Sequence, residues 1–185
     1  MDDGTNSYRR FLQGNPKGLE EIVQLYNHSL IFFINGMVSN ISAAEDLAAE
    51  TFLELIIHKN RFRENASFKT WLFQIAHNNA IDYLRKQARH TQRPITDAEK
   101  ELPDKVILED AILLDERKKQ LYHAMDNIHT EYREVLHLLY FENMSYDEAA
   151  AVLKKNNKQI KNLAYRAKQA LKCALEKEGF VYEDL

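Results

Sequence analysis

Five cations recur late in the chain, at Lys158, Lys161, Arg166, Lys168 and Lys172, with the amides Gln159 and Asn162 near the start of the same stretch. Lys and Arg contact phosphate, and Asn or Gln reads base edges in the major groove, so this mixture suits duplex nucleic acid. A second basic stretch, residues 61–93, differs in kind. Phe62, Phe68, Trp71, Phe73 and Tyr83 are interleaved with Arg61, Arg63, Lys69 and Arg85 and with Asn65, Asn78 and Asn79. Rings beside cations and amides suit unstacked, single-stranded bases. The ordinary readings compete with both. A basic helix face is commonly just solvated, and Phe68, Trp71 and Tyr83 fall at core spacing. The loop 62–67 is therefore the better candidate for capturing a base. A third feature, Glu45, Asp46, Glu50 and Glu54, reads on charge alone as solvated helix surface.

Catalysis and metal binding find little support. The seven histidines, at 28, 58, 77, 90, 123, 129 and 137, include no i, i+4 pair and no His-Glu-x-x-His run, so no metal site and no cofactor is expected. No glycine occurs between Gly36 and Gly179, which excludes phosphate-cradling loops and dinucleotide fingerprints over that span. Cys173 reads as a small packing residue. No carboxylate pair declares itself as an acid and base, and the chain is expected not to be an enzyme.

The elements that must position these residues are helices. With 5 Gly and 3 Pro in 185 residues, breakers are scarce. Asn15 and Pro16 open a helix whose apolar positions Leu19, Ile22, Tyr26, Leu30, Phe33 and Ile34 run towards Val38. Ser42-Ala43-Ala44-Glu45 has capping-box form and opens a second, with Leu47, Phe52, Leu55 and Ile56 as its apolar positions. Ser67 caps a third, to about Arg89. Pro94 and Pro103 stand among acidic residues in a segment without apolar period, which reads as a linker. Helices follow from about Glu109 to Asn127 and from Thr130 to about Glu142. Ser145-Tyr146-Asp147-Glu148 opens a short helix to Leu153, Lys154-Lys155-Asn156 turns, and Asn156-x-x-Gln159 caps a last helix to about Lys177. Two helices joined by so short a turn form a helix-turn-helix, with Ala150 and Ile160 where close contact is needed.

The expectation is an all-α chain of two small helical domains, 1–90 and 116–185, joined by an acidic flexible linker at 91–115. The net charge of −3 conceals its distribution: residues 61–93 carry +5 and 154–185 carry +4, whereas 1–60 carry −4 and 96–116 carry −6. One cysteine and an acidic start, Met1-Asp2-Asp3, suggest a cytoplasmic protein without membrane insertion.

Together these residues resemble one family. Ala44-Glu45-Asp46-Leu47-Ala48-Ala49-Glu50-Thr51-Phe52-Leu53, the block from Phe62 to Arg85 around Phe68-Lys69-Thr70-Trp71-Leu72-Phe73, the pair of segments Tyr132-Arg133-Glu134-Val135-Leu136 and Tyr140 to Tyr146, and Tyr165-Arg166-Ala167-Lys168 are similar, in order, to the extracytoplasmic function (ECF) sigma factors of bacterial RNA polymerase. The resemblance implies a subunit that binds core polymerase and directs promoter-specific initiation. It assigns Glu45, Asp46, Glu50 and Phe52 to the β′ clamp helices, with the β flap as a further polymerase contact. Phe62, Arg63, Asn65, Ser67, Lys69, Asn78, Asn79, Asp82 and Arg85 would recognise and open the −10 element as single strand. Lys158, Gln159, Lys161, Asn162 and Arg166 would read the −35 element as duplex. It further implies an anti-sigma factor as a partner and places the linker in the polymerase channel. Ala49 stands where the family often has Gln, Lys154 where it usually has Gly, and Asn162-Leu163 where Ser-Arg is common. The competing reading is a conventional helix-turn-helix regulator acting without polymerase, which leaves the acidic helix and the 62–85 block unused.

Overall fold

Alternating apolar positions at helical spacing build the chain, and a computed structural model describes residues 4–59, 61–62, 66–91 and 116–177. Arg63 and Asn65 lie outside the described residues, as does the expected linker at 91–115 apart from Thr91, which is the last residue of a helix. Among the described residues there is no strand, and the fold is all-α. The chain divides into two compact units.

The first unit is built on four helices, α1 (Thr5–Leu12), α2 (Lys17–Val38), α3 (Ile41–Ile57) and α4 (Phe68–Thr91). Sequence periodicity misses α1, because eight residues with two buried ones, Ser7 and Tyr8, carry no sustained pattern. It enters through Gly4 and is followed by Gly14, both in the left-handed region at φ 84° and 90°. Asn15 sits just outside α2, where its Oδ1 accepts the Lys17 N–H at 3.1 Å. Gly18 allows α1 to lie on α2: a Cβ there would stand 2.2 Å from the Ser7 carbonyl oxygen.

The Ser42 capping box is not the start of α3. The helix begins one residue before Ser42, and Asn40 caps it by accepting the Ala43 N–H at 2.8 Å. Its inner face, Ala44, Leu47, Ala48, Phe52 and Leu55, meets Ile22, Leu30, Phe33 and Ile34 of α2 and Phe68, Leu72, Phe73 and Ala76 of α4 in the core. Each large side chain so buried contributes roughly 1.5–3 kcal/mol.

The second unit is built on α5 (Glu116–Asp126), α6 (Thr130–Leu136), α7 (Tyr146–Leu153) and α8 (Asn157–Lys177). The helix expected to run to about Glu142 is α-helical only to Leu136. A π-helical turn, His137–Phe141, continues it, with the Glu142 N–H reaching back to the His137 carbonyl at 3.0 Å. The His137 and Phe141 rings stack with centroids 5.4 Å apart across this turn. Nothing in His-Leu-Leu-Tyr-Phe distinguishes a π turn from an α turn by propensity. The expected capping box of α7 is complete, and α8 packs against α5 and α6 through Ile160, Ala164, Ala167 and Leu175.

Candidate nucleic-acid interface

The cleft in the first unit lies where the end of α3 meets α4. It has a volume of about 330 Å³ and is lined by Glu54, His58, Arg61, Trp71, Ile75, Asn78, Asn79 and Asp82. Ser67 sets the register of α4, its Oγ accepting the Thr70 N–H at 3.2 Å. That register carries Trp71, Ile75, Asn78 and Asp82 to the same side, one turn after another. Asn79 is held from behind, its Nδ2 donating to Thr51 Oγ1 at 3.3 Å, and Thr51 donates in turn to the Leu47 carbonyl at 2.8 Å. The cleft thus offers a flat indole, two amides, carboxylates and a guanidinium. Those are the groups that stack on a base and hydrogen-bond its edges.

Three of the lining residues, Glu54, His58 and Arg61, come from the last turn of α3 and the residues just after it. Glu54 therefore leaves the acidic strip and faces the cleft. Spacing along α4 could reveal Asn78 and Asp82, but nothing local announces that the end of α3 completes their site. Trp71 is half-buried rather than core, and Phe73 is fully buried. Phe62, expected to be available for stacking, is itself packed: its ring lies 5.2 Å from Trp71, 5.7 Å from Phe68 and 5.7 Å from Tyr8. Lys69 is half-buried, and the exposed Arg85 pairs with Asp82 at 3.3 Å.

On α3, Glu45, Asp46 and Glu50 are exposed, but Phe52 is not part of that surface. It is 7% exposed and belongs to the core, because it follows Ala44, Ala48 and Leu55 around the helix rather than Asp46 and Glu50. Ile56, expected inward, is turned out. The exposed apolar residues are Leu53, Ile56 and Ile57, so the acidic strip continues into an apolar one.

On α8, Lys158, Gln159, Lys161, Asn162 and Arg166 are all exposed. Gln159, Asn162 and Arg166 share a second cleft, of about 240 Å³, with Lys155 and Leu163. The start of α8 is fixed by a reciprocal pair, in which Asn156 and Gln159 side chains each accept the other's backbone N–H at 2.8 Å. Asn157 also donates to Asp147 Oδ1 of α7 at 2.6 Å. Lys154 takes the left-handed conformation, φ 52°, and Lys155 N–H reaches the Ala150 carbonyl at 3.0 Å, so the turn closes without glycine.

Lys155 was not singled out by sequence. It reaches the cleft because Glu131 of α6 holds its Nζ at 3.2 Å. Beside that pair, burial and then Glu131 push the Glu134 carboxyl up to about 7, against the opposing pull of Lys155 and Arg133. Lys161 lies over the Tyr146 ring and Lys168 over Tyr140, at 5.9 and 4.9 Å from the centroids. A hydrogen bond with Tyr140 raises the Lys168 ammonium, which keeps its charge. Cys173 is exposed on the same helix and does not pack. Among the described residues, no group of three His, Cys, Asp or Glu is placed to hold a metal ion, and no helix is long and apolar enough to cross a membrane.

Comparison with known proteins joins these surfaces. Residues 22–90 match the family model for sigma-70 region 2, and residues 118–171 match that for sigma-70 region 4. The chain is 32% identical over 154 residues to the ECF RNA polymerase sigma factor SigM of Bacillus subtilis, covering 83% of this chain and 93% of the relative. It is 28% identical over 177 residues to the RNA polymerase sigma-H factor of Pseudomonas aeruginosa, covering 90% and 91%. Among solved structures it is similar to the sigma factor RpoE of Bartonella quintana in complex with the anti-sigma factor NepR, with a TM-score of 0.65, 25% identity, and 86% and 98% of the two chains covered. It also shares its fold with CnrH in complex with the cytosolic domain of CnrY, with a TM-score of 0.64, 23% identity, and 95% and 99% covered. The helix that carries the first cleft and the helix-turn-helix that carries the second fall inside the two matched regions, and the chain belongs to the ECF sigma factors of the sigma-70 family.

Proposed function

We propose that this chain binds core RNA polymerase and directs it to a class of promoters, opening the −10 element with its first unit and reading the −35 element with its second. The first role falls to residues 1–90 and the second to residues 116–185. The observation that carries the reading is the pair of chemically different clefts in one chain. One combines an indole with amides and carboxylates, which suits a base taken out of the stack. The other lies on a basic helix face with Gln159 and Asn162 near the helix start, which suits base edges in the major groove.

Opening a promoter costs the stacking and pairing of each base that leaves the duplex. Trp71 replaces the stacking face, while Asn78, Asn79 and Asp82 replace edge hydrogen bonds. Arg61, Lys69 and Arg85 hold the displaced strand's phosphates. In the second unit Lys158, Lys161 and Arg166 contact phosphate and Gln159 and Asn162 read bases. Glu45, Asp46 and Glu50, extended by Leu53 and Ile57, meet the polymerase β′ clamp helices, and the second unit meets the β flap. An anti-sigma factor occupies the same faces when the chain is held inactive, in keeping with the partner in the RpoE structure.

The test is reconstitution. Purified chain added to core polymerase starts transcription from promoters of its own genome, and neither component does so alone. Failure across all such promoters overturns the proposal, and tight binding of the chain alone to a palindromic duplex would favour the conventional regulator.

A further inference from the structure

The first cleft has two walls that come from different parts of the chain, and one buried side chain touches both. Tyr8 of α1 is fully buried. Its Oη donates to the Lys59 carbonyl at 2.8 Å, with the Leu55 carbonyl 3.5 Å away. The Leu55 carbonyl belongs to the last turn of α3, where helical carbonyls lack partners within the helix, and the Lys59 carbonyl to the turn that follows it. Glu54, His58 and Arg61, one wall of the cleft, are carried on the end of α3 and that following turn. The Arg61 N–H in turn donates to the His58 carbonyl at 2.8 Å, so the wall is a single hydrogen-bonded unit.

The Tyr8 ring lies 5.6 Å from Trp71, the opposite wall, and 4.9 Å from Phe68 and 5.7 Å edge-on to Phe62 at the foot of the loop. Burial pushes the phenol up to about 12, so the hydroxyl remains a donor under all ordinary conditions. At the entrance of α1, Gly4 sits against Phe68, where a Cβ would stand 2.9 Å from its ring.

We infer that Tyr8 is a positioning residue for promoter opening, fixing the distance between the Arg61–His58 wall and the Trp71 wall of the cleft. The inference rests on the reading of that cleft as the site of an extruded −10 base. Tyr8 does not touch the base. It acts through Lys59 and Trp71, so loss of its hydroxyl loosens the site while the ring still fills the core.

The chain's single tryptophan is Trp71, which makes the cleft its own fluorescent reporter. The experiment uses the full chain bound to core polymerase and a promoter mapped from transcript 5′ ends. A single-stranded oligonucleotide carrying its −10 segment is titrated against the sigma-dependent change in Trp71 emission, measured as the difference from a Trp71→Phe complex. For Tyr8→Phe the midpoint rises about fivefold, the scale of one lost hydrogen bond. Affinity for a −35 duplex and for core polymerase is unchanged, and permanganate reactivity of −10 thymines falls at equal occupancy. Gly18→Ala, which forces α1 and Tyr8 with it off α2, gives the same −10 defect although the Tyr8 hydroxyl is retained.

Wild-type-like binding by Tyr8→Phe, with wild-type chain binding the oligonucleotide, overturns the role of Tyr8 and leaves the cleft reading intact. No binding or emission change with the wild-type chain overturns both. Equal weakening of −10 strand, −35 duplex and core polymerase shows a general folding role and also overturns the inference.

Discussion

Asn156 and Gln159 cap each other at the start of α8, each side-chain oxygen taking the other's backbone N–H at 2.8 Å. The bond uses only the carbonyl end of Gln159. Its amide NH₂ remains on the exposed face, beside Asn162 and Arg166 in the second cleft. One residue thus starts α8 and presents a donor to whatever lies against it. Cap and reader are separable because Glu performs the first task as well as Gln does.

Gln159→Glu retains the cap and leaves unfolding of the chain within about 0.5 kcal/mol of wild type. It replaces the donor with a carboxylate facing DNA, and −35 duplex affinity falls by at least tenfold. Gln159→Ala loses both, with stability down by about 1 kcal/mol. Urea unfolding and duplex binding measured side by side check this. Equal DNA affinity for Glu and Gln would remove Gln159 from the interface.

Lys154 holds φ 52° in the turn between α7 and α8, a conformation that costs a non-glycine residue about 1–2 kcal/mol. Lys154→Gly relieves that cost against a smaller entropic loss. The variant is expected to be more stable by roughly 0.5–1 kcal/mol, read from the urea midpoint at unchanged slope. A destabilised variant would show that the Lys154 side chain contributes more than its backbone strain removes.

How much of this was legible in the sequence divides by range. Helix starts marked by side-chain chemistry were readable, as at Ser67, Ser145 and Asn156, because the capping partner lies three residues away. The α3 start was missed by two residues, since Asn40 and Ser42 both offer a cap and tertiary packing selects Asn40. The helix α1 was invisible, because its eight residues are held by Tyr8 and Gly18 rather than by a local period. For the sites, spacing found the exposed face of α8. It could not place Glu54 or His58 in the first cleft or Lys155 in the second, which reach them through the end of α3 and a pair with Glu131. Only the resemblance assigned Phe52 to the polymerase surface; helical spacing groups it with Leu47 and Leu55, and it is buried with them.

Glu134 sets a pH dependence in the second unit. Burial lifts its carboxyl to about 7, above the ordinary 4.5, so the folded state holds a proton that the unfolded chain gives up. The stabilisation from that proton is complete below about pH 4.5 and is lost as pH rises through about 7. The loss attributable to Glu134 is on the order of 3 kcal/mol at most. Glu134→Gln keeps the neutral form at every pH. Its urea stability should match wild type near pH 5 and exceed it near pH 8, and parallel pH profiles for the two proteins would contradict the assignment.

The outward face of α3, proposed to meet polymerase, allows that contact to be tested apart from folding. Asp46, Glu50, Leu53 and Ile57 follow one another at three- and four-residue steps, and Leu53 and Ile57 are 54% and 69% exposed. Apolar side chains left this open suit burial against a partner, and the acidic residues before them set its charge. Leu53→Arg therefore leaves unfolding within about 0.5 kcal/mol of wild type, keeps −35 duplex binding, and weakens association with core polymerase by tenfold or more. Phe52→Ala behaves in the opposite way. It opens a cavity in the core of the first unit and costs about 3–5 kcal/mol, while polymerase binding at low temperature recovers in proportion to the folded fraction. Association measured by fluorescence anisotropy on labelled chain, alongside urea unfolding, distinguishes the two. Wild-type affinity in Leu53→Arg would move the polymerase contact off this face, and a folded but non-binding Phe52→Ala would return Phe52 to it.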